Sequence, residues 1–166
     1  MDAKELARLI SYAIITHDDC PRKPSKAFRK WDGRTPYGIH PVWCAMTLLH
    51  EYALLEELRI AGAQALLFHD IFEDTTADLP EGTDERVREL VEGMTFESSD
   101  EEMEKVWERS PEIRLIKLYD KVSNCYDDVW MTPEKRERYR TYTRKLADDV
   151  EANYGSLTIV KFARAL

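Results

Sequence analysis

The three cysteines of this 166-residue chain, Cys20, Cys44 and Cys125, lie far apart and include no C-x-x-C pair. That spacing excludes a disulfide framework and a structural thiolate zinc site, and it fits a reducing compartment. No apolar run approaches the roughly 20 residues that span a bilayer, and the first residues lack a basic, then apolar, leader. Positive charge is also short: 24 Lys and Arg stand against 32 Asp and Glu, a net charge of −8. Such a balance argues against general nucleic-acid binding. Any anionic substrate would need a local basic patch. The expectation is a cytoplasmic protein with neither a nucleic-acid nor a membrane partner; composition leaves its oligomeric state open. With 43% apolar residues, the chain can bury a core, and its length suits a single domain over residues 1–166.

Alternating strand patterns, repeats and low-complexity tracts are absent as well, and helix signals dominate. Asp2 and Glu5 form a capping pair ahead of Leu6, Leu9, Ile10, Ala13 and Ile14 at helical spacing. Residues 16–39 hold Pro21, Pro24, Pro36, Gly33 and Gly38 and read as a long loop. Further helices are predicted over about 40–58, with Pro41 in the first turn, and about 61–73. Others are expected over 84–93, closed by Gly93, from Ser110-Pro111 through Trp130, from Thr132-Pro133 to about Tyr154, and over 156–166. The fold class is all-α, a helical bundle.

One stretch breaks the pattern of apolar helices with solvated faces. Residues 66–75, LLFHDIFEDT, set His69-Asp70 and Glu73-Asp74 among Leu66, Leu67, Phe68, Ile71 and Phe72. Buried carboxylates are costly unless paired or bound to a metal. Read as one helix, the spacing puts His69 beside Glu73, and Asp70 beside Glu73 and Asp74. Asp120 is a second acid inside an apolar helix, and His40 opens the helix that follows the long loop. Two neutral imidazoles and two carboxylates suit manganese, iron or zinc better than calcium. Residues 22–34 carry Arg22, Lys23, Lys26, Arg29, Lys30 and Arg34 around Phe28 and Trp31, with Asp32 the single acid. This is a candidate lid for gripping phosphates and stacking a base.

The order of a histidine, a His-Asp pair and a distant aspartate resembles the HD-domain metal-dependent phosphohydrolases. "TPYGIHP", "ALLFHDIFEDT", "VRELVEGMT" and "IKLYDKVSN" are similar to consecutive motifs of the RelA/SpoT-type hydrolase domain, without room for a synthetase domain. The chain thus resembles a stand-alone small alarmone hydrolase of the metazoan SpoT-homologue type. The resemblance implies hydrolysis of the 3′-pyrophosphate of (p)ppGpp to GDP or GTP and pyrophosphate. The metal would be Mn2+, with Fe2+, Zn2+ or Mg2+ as alternatives. His40, His69, Asp70 and Asp120 would hold it, Glu73 and Asp74 would orient or activate the attacking water, and Asn124 would lie near the nucleotide. The family's basic loop maps onto either Arg22 or Arg29 as the base-stacking arginine, with Lys30 beside the latter. The chain departs from the family pattern at Phe96, where lysine is usual, and at Cys125-Tyr126, where a Leu/Met-Arg pair is usual. Two other readings stay open: an HD phosphohydrolase for another nucleotide or phosphorylated cofactor, and an inactive nucleotide-binding regulator.

Overall fold

The structure, a computed structural model, describes residues 1–23 and 27–166; Pro24 and Lys26 of the basic loop lie outside them. Among the described residues the regular structure is helical, with isolated bridges at Pro21–Thr75 and Phe28–Pro36 in place of any strand. In chain order the helices are α1 (Ala3–Asp19), α2 (Ile39–Leu49), α3 (Glu56–Phe68), α4 (Ile71–Asp74), α5 (Glu85–Met94), α6 (Ser99–Lys105), α7 (Pro111–Cys125), α8 (Pro133–Tyr154) and α9 (Thr158–Arg164). A 3-10 turn, Val106–Glu108, joins α6 to α7.

Short polar side chains start most of these helices by accepting an otherwise unpaired N–H. Asp2 accepts from Glu5 at 2.8 Å, and Ser110 and Thr132 do the same ahead of Pro111 and Pro133. The central element is α7. Its residues from Leu115 to Ser123 are all buried, because α2, α5, α8 and α9 pack around it. A helix buried on every side has no solvated face on which to place charge. Lys117, Asp120 and Lys121 are therefore held in the interior and must find partners there.

Four expected boundaries move, the first two for tertiary reasons. α1 continues through Thr16 and His17 to Asp19, since both side chains are buried. The helix expected over 40–58 is two helices. Residues 50–55 break it where Glu51 turns to accept the Thr158 N–H at the start of α9, at 2.6 Å, and Arg59 donates to the Leu49 carbonyl at 2.9 Å. The helix expected over 61–73 ends at Phe68, and α7 ends at Cys125 rather than Trp130. Gly93 lies inside α5 instead of closing it; a Cβ there would sit 2.3 Å from Ile113 Cδ1, so its use is close packing on α7. α6 falls in a stretch assigned no helix, although Ser98 and Glu101 carry a capping-box spacing: Ser98 Oγ accepts from the Glu101 N–H and Glu101 from the Glu97 N–H.

Gly38 couples the first two helices. A Cβ at this position would lie 2.9 Å from the Ile14 Cα, a backbone atom that cannot step aside. Gly38→Ala is therefore expected to lower unfolding stability by about 1–3 kcal/mol, the usual penalty for overpacking. It should also weaken divalent-metal binding, because His40 lies two residues further on. Urea denaturation and metal titration of the same variant check both effects.

Candidate active site

Three elements converge on one point. α2 delivers His40 from its first turn, the α3–α4 junction delivers His69 and Asp70, and the middle of α7 delivers Asp120. The two imidazoles face each other with Nε2 atoms 3.2 Å apart. Asp70 Oδ2 lies 3.4 Å from His40 Nε2 and 3.1 Å from His69 Nε2. Asp120 Oδ1 lies 3.3 and 3.6 Å from the same two atoms. Ligand atoms of His40, His69 and Asp120 fall within 4.8 Å of one another.

The rings are held from behind. His69 Nδ1 is 2.8 Å from the Leu66 carbonyl, which can only accept, so Nδ1 carries the proton and Nε2 points its lone pair at the cluster. His40 Nδ1 is 2.8 Å from Ser123 Oγ. The Tyr37 hydroxyl donates to Asp70 Oδ2 at 2.7 Å. This is the back-side hydrogen bonding that orients metal-binding imidazoles and carboxylates. The chain turns at His69 and Asp70, so the His-Asp pair sits at a corner between α3 and α4 and not on one continuous helical face.

Electrostatics agree with a cation site. With both Nε2 lone pairs turned inward the two imidazoles would repel, and a cation between them would remove that repulsion. Burial alone would depress the His40 imidazole, but Cys44, Asp120 and Asp70 outweigh it and lift His40 to about 10. His69 is held well above its ordinary value for the same reason: burial is outweighed by Asp70 and Asp120. Both carboxyls are drawn down. Burial opposes this, but His69 and His40 hold Asp70 well below the usual range, and Lys121 and Lys117 do so for Asp120. Metal ligation needs the imidazoles neutral, so a divalent cation would compete with protons at this cluster. The donor set, two nitrogens and two carboxylate oxygens, fits such an ion.

Beside this cluster lies a cleft of about 500 Å3 whose lining includes Asp70, Glu73 and Asp120. Glu73 Oε1 accepts from the Phe96 N–H at 3.2 Å. Burial first, and the Asp70 charge second, push Glu73 up to about 7, with Lys117 working against them. Asp74 is buried; its charge acts on the Tyr37 phenol, and its carbonyl accepts the Arg22 N–H at 2.8 Å. Asn124 lines the cleft and donates to Asp120 Oδ1 at 2.6 Å.

Residues 27–37 form a hairpin-like turn beside this region, with Tyr37 N–H donating to the Ala27 carbonyl and Arg29 N–H to the Thr35 carbonyl, both at 2.8 Å. Its arginines serve different ends. Arg22 is exposed beside the end of α4. Arg29 is only 2% exposed: its guanidinium pairs with Asp127 at 3.1 Å, donates to the Ser123 carbonyl and lies over Trp31 and Tyr37. Lys30 lines the cleft, and its N–H donates to Asp127 at 2.8 Å. Lys117 and Lys121, neighbours of Asp120 on α7, also line the cleft, with Lys135, Tyr37 and Glu102. Tyr37 was visible in "TPYGIHP" but had no assigned role. Glu102 could not be assigned, because its helix was not anticipated.

No family model matches the chain. Curated relatives do. Human guanosine-3′,5′-bis(diphosphate) 3′-pyrophosphohydrolase MESH1 is 34% identical over 146 residues, 82% of this chain and 78% of the relative. The mouse protein of that name is 33% identical over 149 residues, 84% and 78% of the two chains. The Xenopus tropicalis protein is 32% identical across 96% of this chain and 90% of its own. The fold matches a solved structure described as "A metazoan ortholog of SpoT hydrolyzes ppGpp and plays a role in starvation responses". The TM-score is 0.73 at 24% identity, covering 98% of this chain and 93% of that one.

Proposed function

Because this chain belongs to the family of MESH1-type guanosine-3′,5′-bis(diphosphate) 3′-pyrophosphohydrolases, we propose that it hydrolyses the 3′-pyrophosphate of ppGpp and pppGpp, releasing GDP or GTP and pyrophosphate. The observation that carries this reading is the convergence of two imidazole nitrogens and two carboxylates beside a cleft whose lining includes Lys30 and Lys135. That is an arrangement for a divalent cation and a polyphosphate on a chain otherwise rich in negative charge.

His40, His69, Asp70 and Asp120 would hold the ion. Mixed nitrogen and oxygen donors suit manganese, iron or zinc; the family resemblance implies manganese, with iron, zinc and magnesium as alternatives. When bound, the ion lowers the pKa of water and offsets charge on phosphoryl oxygens. The remaining work falls to the chain. Glu73, ionised on one side of its value near 7, takes the proton of the attacking water. Asp74 keeps the local field negative behind Tyr37, and Tyr37 holds Asp70 in place. Asn124 steadies Asp120 and presents its carbonyl-amide group to the nucleotide. Lys30 meets phosphate, with Phe28 beside it as a face for the purine. Arg29, committed to Asp127, keeps the loop beside the cleft, and Arg22 extends its positive field. Free Cys20, Cys44 and Cys125 accord with a cytoplasmic location, and the continuous packing of core side chains from Leu9 to Ala163 supports reading residues 1–166 as one domain.

The test is incubation of the Mn2+-loaded protein with ppGpp, pppGpp, other phosphorylated nucleotides and a small aryl phosphate, with products identified by mass spectrometry. Pyrophosphate and GDP from ppGpp are the expected products; turnover of the other nucleotides with ppGpp left intact would overturn the substrate assignment. The same panel applied to Lys30→Ala should give a KM for ppGpp raised about tenfold with kcat falling less, since binding shared by ground and transition states is lost. The aryl phosphate, lacking a base and a second pyrophosphate, should be affected little.

A further inference from the structure

Behind Asp120 lies a buried ionic network whose acid, Glu102, the catalytic reading leaves without a purpose. Asp120 turns Oδ1 toward the imidazoles, while Oδ2 faces two ammonium groups, Lys117 Nζ at 3.2 Å and Lys121 Nζ at 3.1 Å. Both lysines are almost fully buried, at 2% and 4% exposure. Two cations behind one carboxylate would leave a net positive charge immediately next to a cation site. Glu102, on α6, removes it. Its Oε2 lies 3.1 Å from Lys117 Nζ and 2.8 Å from Lys121 Nζ, and its Oε1 accepts from the Tyr142 hydroxyl at 3.0 Å. Glu102 is itself buried. Lys121 is completed by Tyr139 Oη at 3.0 Å. Glu73 is the other acid whose charge reaches Lys117.

We infer that Glu102 is a positioning and charge-balancing residue of the metal centre: it offsets one of the two lysines that grip Asp120 Oδ2, so that Asp120 keeps a full negative charge available at Oδ1 for a divalent cation. This rests on the ligand assignment above. Its physical basis is that charges within a few ångströms in a buried site are weakly screened, and that groups behind a metal ligand typically change affinity 10- to 100-fold when altered. Without Glu102, both lysines draw on Asp120 alone and a cation beside it is repelled.

The sign of the effect separates this role from mere packing. Mn2+ binding is measured from the free-ion electron paramagnetic resonance signal, with far-ultraviolet circular dichroism confirming the helical fold. Glu102→Gln, which keeps the shape and removes the charge, should weaken Mn2+ at least tenfold. Lys117→Met removes a positive charge from the same network and should leave Mn2+ affinity unchanged or tighter. The double variant, with the charge count restored, should return to within about threefold of wild type. Loss of affinity in Lys117→Met, or a double variant weaker than Glu102→Gln, would make the network a packing feature and overturn the inference. Should Glu102→Gln fail to fold, Lys117→Met alone still decides the sign. Asp120→Ala is the reference arm: if it keeps its Mn2+ the ligand assignment itself fails, whereas if it loses Mn2+ and Glu102→Gln does not, only the role of Glu102 fails.

Discussion

Asp70→Ala protein, loaded with Mn2+ and then desalted, is expected to emerge without metal, without turnover on ppGpp, and with a melting temperature below that of loaded wild type. Asp70 Oδ2 is within 3.4 Å of both imidazole Nε2 atoms, closer to His69 than Asp120 is. It also accepts the Tyr37 hydroxyl, so its removal costs a donor and loosens the ring of groups around it. The stability effect follows from linkage. An ion present at about a hundred times its Kd stabilises the folded state by about 2.7 kcal/mol, and a variant that cannot bind it loses that increment. Loaded and metal-free wild type should therefore differ in melting temperature, while loaded and metal-free Asp70→Ala should coincide. Metal content after desalting decides the assignment: one full equivalent retained by Asp70→Ala would remove Asp70 from the ligand set.

Glu73→Gln should behave in the opposite way, keeping metal and fold while kcat falls by about a hundredfold or more, the usual cost of losing a general base. The pH dependence sharpens this. Burial, reinforced by Asp70, pushes Glu73 up to about 7, and a base acts only when deprotonated. Wild-type kcat/KM should therefore climb as pH rises through about 7 and then level off. Cation binding nearby would move that midpoint lower. In Glu73→Gln the ascending limb attributable to this group should vanish. The stability sign is the reverse. A carboxyl whose folded value lies above its ordinary 4.5 binds its proton more tightly when folded, so metal-free wild type loses stability as pH climbs from about 4.5 through 7. Glu73→Gln lacks that loss and should be the more stable of the two at pH 8 when both are metal-free. Departure of the metal with Glu73→Gln would make Glu73 a ligand and not a base.

Much of this molecule is local enough to be read along the chain. Caps at Asp2, Ser110 and Thr132, with prolines at the first helical positions, are short-range chemistry, and the corresponding helices begin there. The four cluster residues were legible because each is a polar group in an apolar setting, which physical chemistry tolerates only with a partner. Their motifs also keep a fixed order. Helix ends were less legible, since the breaks at residues 50–55 and at His69-Asp70 contain neither glycine nor proline. Glu51 leaves its helix to meet α9, and His69 bends back to the Leu66 carbonyl. Neither partner can be seen from the neighbouring sequence.

Charge roles divide along the same line. The sequence by itself determined an all-helical chain, a set of nitrogen and oxygen donors that could hold a cation and a basic segment ahead of it, because propensity, capping and the cost of burying acids act over a few residues. Only the tertiary structure decided what each basic group touches. Arg29, a candidate phosphate grip in the sequence, is paired in space with the distant Asp127. Lys117 and Lys121, which look like ordinary helix neighbours of Asp120, become part of the cleft wall once α6 places Glu102 against them. Electrostatic energy depends on distance and burial, and both are properties of the packed chain.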